Sequence, residues 1–235
     1  TGDYKIDYSP IDGNVADLHR FAEYGQQGVL LLISDSTNAT NPGYTPSEIV
    51  LKKKLLEIFA KSKGRIFVAS FASNIHRIQQ VLEASQKYNR KVVISGTTMQ
   101  KNIEIATELG YLKYKKDLII DAKDIGKYTH KKLVVLCTGS QGEPMSALSR
   151  MATGTHKHFR IGAGDTVIIT ASVIPGNERM VYSVINSLMQ MGADVFYEQD
   201  EEIHVSGHAS QEELKLMITL TQPKYFLPVH GEYRH

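Results

Sequence analysis

The stretch EEIHVSGHAS, residues 201–210, carries two histidines, His204 and His208, on either side of Val205, Ser206 and Gly207. Imidazoles bind metals, move protons and hydrogen-bond phosphates. On a helix this spacing would aim both rings at one metal. Gly207 and the following SQEE instead place the helix start near Ser210, so His208 lies on the approach to that helix. A histidine pair of this kind, taken alone, is more often a hydrogen-bonded turn. His230 follows the apolar run KYFLPV and precedes Gly231. A strand that delivers a histidine into a turn holds the ring rigidly, which suits a ligand. Asp3 in TGD and Asp35 in SDST have similar settings. The bland reading of each is a turn residue bonding its own backbone. A catalytic zinc takes at least three protein ligands. Asp3 and His230 are the best local candidates, which is too few, and no HxHxD cluster occurs in the chain.

The other histidines sit in polar or basic settings. His19, His130, His156, His158 and His235 read as surface residues, although His156 and His158 in THKHFR could touch a phosphate. His76 falls in the first turn of an expected helix. Four loops rich in Ser, Thr, Gly or Asn each follow an expected strand: SDSTN, SFASN, TGSQGEP and VHGE. Ligands of open parallel sheets gather where strands end and helices begin, and backbone N–H groups there can hold phosphate oxygens. Singly each loop is only a turn and a cap. Neither a Walker A motif nor GxGxxG is present, which disfavours an ordinary ATP or dinucleotide site.

The elements that must position these residues alternate strand and helix. GVLLLIS reads as a buried strand ending at Ser34, PSEIVLKKKLLEIFAKS as a helix, RIFVAS as a strand, and SNIHRIQQVLEASQKY as a helix capped by Ser73 or Asn74. KVVIS, KLVVLCT, DTVIITA, DVFYE and KYFLPV continue the strands, with helices between them. Strands that are apolar throughout, separated by helices, argue for an α/β protein with a mainly parallel sheet covered on both faces.

Bulk properties exclude several classes. The 235 residues are 42% hydrophobic and 22% charged, with a formal net charge of +2. The longest aliphatic run, VLLLI at residues 29–33, is far too short to span a bilayer. The opening TGDYKIDYSP is not a signal peptide. One cysteine, Cys137, rules out an internal disulfide framework and suits a reducing cytoplasm. Lysine clusters such as LKKKLLEIFAKSKGR could together attract phosphates, although each alone reads as a solvated face. Polar, glycine-bearing ends lead to the expectation of a piece of a larger protein.

TGDYKID, SDSTN, FASNIHR, CTGSQGEP, IPGNE, HVSGH and PVHGEYR occur in an order that resembles the ribonuclease J family, over the whole chain. The resemblance implies a metallo-β-lactamase αββα domain carrying an inserted β-CASP domain. It implies metallo-β-lactamase segments at 1–43 and 204–235 with a β-CASP domain at 44–203. Asp3 then resembles the aspartate bridging two zinc ions, His230 a metal ligand, and Asp35 an acid that orients a metal-ligating histidine. His208 matches a β-CASP motif and is the candidate general acid. Ser73 and Asn74, with His204 to His208, resemble the pocket that holds substrate phosphates. The resemblance also implies endonuclease and 5′–3′ exonuclease action on 5′-monophosphorylated RNA, with the intact protein cytoplasmic and homo-oligomeric. The family's HxHxDH motif and a further ligand histidine lie upstream of TGD and are missing from these residues. An alternative is a metal-free, inactive module that binds RNA or phosphate. A nucleotide-binding α/β domain unrelated to nucleases fits the motif order poorly.

The nuclease reading requires that Asp3, at the start of the chain, lie beside His230, near its end, with His208 close by.

Overall fold

A computed structural model describes residues 1–200 and 203–235; Glu201 and Glu202, which open the histidine stretch, lie outside the described residues. The chain forms two compact units, one of residues 1–50 with 205–235 and one of residues 51–204. Among the described residues no helix is long and apolar enough to cross a membrane.

The elements run in the order α1 (Leu18–Gln27), β1 (Leu31–Asp35), α2 (Ile49–Lys61), β2 (Ile66–Ala69), α3 (Ile75–Lys87), β3 (Lys91–Ser95), α4 (Thr97–Glu108), β4 (Leu133–Cys137), α5 (Ala147–Ala152), β5 (Thr166–Ile169), α6 (Glu178–Gln190), β6 (Asp194–Phe196), α7 (Gln211–Thr221) and β7 (Tyr225–Val229).

The larger unit is a five-stranded sheet in the order β3-β4-β2-β5-β6, with every pairing parallel. Every residue of β2, β4 and β5 is buried, so the sheet is covered on both faces, as the uniformly apolar strands predict. Phe67, Val135, Leu148, Phe159 and Leu188 belong to its core, and the Phe67 and Phe159 rings meet edge to face at 6.0 Å. Arg65 clasps Asp165 through Nε at 2.9 Å and Nη2 at 2.6 Å, tying the approach to β2 to the approach to β5.

The smaller unit pairs β1 with β7 in parallel, Leu31 opposite Tyr225 and Asp35 opposite Val229. β1 runs one residue past the expected end at Ser34, because this pairing extends to Asp35. Helix α1 was not expected from the sequence. None of its residues is fully buried, but Leu18, Phe21 and Ala22 repeat at helical spacing and are half-buried, a pattern already present in the sequence; Asp17 caps it by accepting from the Arg20 N–H. The expected helix start near Ser210 is where α7 begins, and Asn74 rather than Ser73 caps α3.

Candidate active site

In a parallel pair both strands end at the same edge. The β1–β7 register therefore sets Asp35, the last residue of β1, beside the turn that carries His230. His230 has φ +65°, a left-handed conformation that a non-glycine residue adopts at a cost of about 1–3 kcal/mol. Gly231 lets the turn close: a Cβ there would lie 2.4 Å from the Ser36 hydroxyl oxygen. Ser36 in turn donates its N–H (2.9 Å) and hydroxyl (2.8 Å) to the Val229 carbonyl.

Asp3 Oδ1 lies 3.1 Å from His230 Nε2, and both side chains are more than half exposed. Donor atoms of Asp3, Asp35 and His208 all fall within 4.8 Å of one another. The required juxtaposition of the two ends of the chain is present. Asp35 is fully buried and its oxygens are engaged. Oδ1 accepts from the Thr37 N–H (3.0 Å) and hydroxyl (2.7 Å), and Oδ2 accepts from His208 Nδ1 at 2.8 Å. Asp35 is thus both a turn residue bonding its own backbone and the group that orients a histidine. Burial pushes its carboxyl up, but the Thr37 donors and the His208 ring outweigh burial and hold the pKa below the ordinary value. The bond to Asp35 puts the His208 proton on Nδ1 and leaves Nε2 for a ligand or substrate.

Residues that sequence reasoning missed hold this cluster in place. Glu213 is fully buried. Its carboxylate accepts from the N–H groups of Ile6 (2.7 Å), Thr45 (2.7 Å) and Ser210 (2.8 Å). One side chain therefore fastens the segment carrying Asp3 to the one carrying His208. The S-x-x-E spacing of Ser210 and Glu213 is a capping-box signal that was available in the sequence; the two remote amides were not. Asn38 Nδ2 donates to Ser206 Oγ (2.9 Å) and to the His208 carbonyl (3.1 Å), and the Thr45 hydroxyl donates to that carbonyl at 2.7 Å. Ser206 Oγ also accepts from the His208 N–H at 3.1 Å, so the hydroxyl proton of Ser206 points elsewhere. Gly207 is exposed with open space around it, whereas the Val205 side chain is buried and serves packing.

Ser73, Asn74 and His204 belong to the larger unit. The Asn74 side-chain oxygen is taken by the Arg77 N–H at 3.0 Å, and Ser73 is exposed in the turn before α3. His204 Nδ1 lies 3.2 Å from the Thr170 carbonyl, to which Arg77 also donates, and its Nε2 is 3.0 Å from the Ser172 hydroxyl. β2 connects onward toward β3 and β5 toward β6, in opposite directions along the sheet. The loops after β2 and β5 therefore meet at a switch point, where α/β sheets take their ligands. His156, expected on the surface, is half-buried because its ring bonds Ser95.

As donors, Asp3 and His230 fit zinc, which takes carboxylate oxygen and imidazole nitrogen. With Asp35 engaged by Thr37 and His208, these two are a partial ligand set.

Residues 63–188 match the family described as Ribonuclease J, beta-CASP domain, and residues 199–235 match the Zn-dependent metallo-hydrolase RNA specificity domain. The chain is 52% identical to Ribonuclease J of Thermus thermophilus over 235 residues, covering 100% of this chain and 41% of that protein. It is 49% identical to Ribonuclease J of Helicobacter pylori, with coverage of 100% and 34%. It is 44% identical over 234 residues to Ribonuclease J2 of Bacillus subtilis, with coverage of 100% and 42%. The chain thus spans between 34% and 42% of the length of these relatives.

Proposed function

We propose that this chain, which belongs to the ribonuclease J family, carries part of the active site of a zinc-dependent ribonuclease. The observation that supports this reading is one strand edge bearing two coupled pairs, Asp3 with His230 and Asp35 with His208. In the longer protein Asp3 and His230 would contribute ligands to two zinc ions, completed by residues outside this chain. When bound, zinc would supply a Lewis acid and water acidified toward neutral pH.

The chain's own residues do the rest. Asp35 fixes the His208 ring by accepting from Nδ1–H, and in its imidazolium form His208 gives the second proton, on Nε2, to the leaving 3′ oxygen, so that the downstream RNA keeps a 5′ phosphate. Substrate phosphates are received in the smaller unit by the Ser206 hydroxyl and Gly207, and in the larger unit by Ser73, Asn74 and His204. The activity comprises 5′–3′ digestion of monophosphorylated RNA beside internal cutting. Recognition runs through the RNA backbone, which makes sequence preference weak. We assign residues 44–203 to the β-CASP domain and 1–43 with 204–235 to the metallo-β-lactamase domain of a cytoplasmic homo-oligomer.

The test uses the full-length protein, 5′-phosphorylated single-stranded RNA and metal content by mass spectrometry. His230→Ala should lose zinc and cleavage together. His208→Ala should lose cleavage with zinc retained. Full zinc in the first variant would remove His230 from the ligand set; parallel loss of zinc in the second would make His208 a ligand and not an acid.

A further inference from the structure

The larger unit holds a cavity of about 570 Å³ at the ends of β3 and β4, lined by residues between Ile94 and Phe159. Its described lining contains no carboxylate, and it includes Arg150, Lys157 and His158. Arg150 Nε is buried with no hydrogen-bond partner among the described residues. Asp121, close enough to feel the charge of His158, is paired with Lys123.

A second donor faces the same space. His156 Nδ1 lies 3.2 Å from the backbone N–H groups of both His158 and Phe159, and so accepts from them. Its proton therefore sits on Nε2, which donates to Ser95 Oγ at 3.0 Å. Burial first, then the charges of Arg150 and His158, hold His156 below the ordinary imidazole value, in keeping with this neutral form. Ser95 is 8% exposed, lines the cavity, and now accepts from His156, which leaves its own hydroxyl proton without an acceptor among the described residues. The start of α4 opens on the same cavity through Thr97 and Thr98, and no side chain caps it.

A buried serine proton lacking an acceptor, the uncapped start of α4 and the Arg150 and Lys157 side chains converge on this cavity. We propose that this cavity of the larger unit is a phosphate-binding site that seats the phosphate of a nucleotide or of an RNA strand. Only the RNA source rests on the ribonuclease reading; binding of a free phosphate does not.

The test measures binding by the full-length protein in EDTA, which keeps RNA intact. The probes are inorganic phosphate, read as a rise in melting temperature, and a single-stranded RNA, read by fluorescence anisotropy across a salt series. The variants are Arg150→Gln and, should that variant misfold by circular dichroism, the exposed pair Lys157→Gln with His158→Gln. The proposal expects the phosphate-dependent rise to vanish, or RNA affinity to fall about 3- to 10-fold with the salt slope reduced by about 0.7 per lost phosphate contact. Loss of the first effect alone makes the ligand a free phosphate; loss of the second makes it an RNA phosphodiester. Folded variants that match the wild type with both probes overturn the site. RNA cleavage by the zinc-loaded wild type is measured separately, so its absence would fail the ribonuclease reading and leave phosphate binding to be judged alone.

Discussion

Asp35 joins chemistry to stability at the scale of one residue. Its carboxylate is buried and accepts three bonds, two from Thr37 and one from His208. Replacing it with Asn puts an N–H₂ or a weaker acceptor where His208 Nδ1–H must donate, and frees the ring. Outer-shell partners of this kind typically cost 10- to 100-fold in activity or metal affinity. Asp35→Asn should therefore slow RNA cleavage by the full-length protein about 10- to 100-fold, checked by single-turnover rates. The same residue gives a signed pH effect. Its folded pKa is depressed, so folding favours the charged form. That contribution is complete above the ordinary carboxylate value of about 3.9 and is lost as pH falls through the lower folded value. The gap in denaturant midpoint between wild type and Asp35→Asn should be wide near neutrality and should narrow in acid; a gap that grows in acid would reverse the sign. Asp3, Asp35, His208 and His230 were all legible as chemistry-bearing residues. The His208 proton position was not, because it depends on a carboxylate 173 residues away.

Elements show where local signals stop. Periodicity announced the strands and most helices, but not the pairing of β1 with β7, which joins segments at opposite ends of the chain and so has no local signature. Helix α1 was missed although Leu18, Phe21 and Ala22 repeat at helical spacing and Asp17 stands at its cap. One close approach of this helix runs against ordinary helix propensity. Ala normally beats Gly inside a helix by about 1 kcal/mol. At Gly25, however, a Cβ would sit 2.1 Å from the Leu220 carbonyl oxygen in α7, and backbone cannot swing aside as a side chain can. Overpacking costs about 1–3 kcal/mol, so sterics win and Gly25→Ala should lower the stability of the smaller unit. Denaturant melts of the two proteins decide the sign. Glu213 supports the same unit through three backbone donors, of which the sequence disclosed only the capping bond to Ser210. Glu213→Ala strips all three buried N–H groups of their acceptor. Each unsatisfied group costs about 1–3 kcal/mol, enough to threaten a marginal unit. Cleavage should be lost together with protease resistance of the segments carrying Asp3 and His208.

Across the whole molecule the two units are built on different reserves. In the larger one, β2, β4 and β5 are wholly buried and Cys137 ends β4 at zero exposure, its thiol pushed up by burial to about 12. The smaller unit rests on a two-stranded sheet whose Leu31, Ile33, Tyr225, Phe226 and Leu227 are between 42% and 57% exposed. Two strands alone are marginal in water, and relatives more than twice as long have further chain available to cover such a face. The 235-residue chain should therefore open in two steps on heating or in urea, the unit of residues 1–50 and 205–235 first. Cys137 reports which unit has opened, because a buried protonated thiol is inert to alkylation. Limited trypsin digestion under mild denaturation should cut at Arg20 and Lys224 while iodoacetamide still leaves Cys137 unlabelled; labelling should begin only in the second transition. In the full-length protein the first step should move up toward the second, since apolar area removed from water contributes about 25 cal/mol per Å². A single transition that exposes Cys137 and the trypsin sites together in the 235-residue chain would show instead that the smaller unit draws its stability from the larger one, and that the exposed strand faces cost it little.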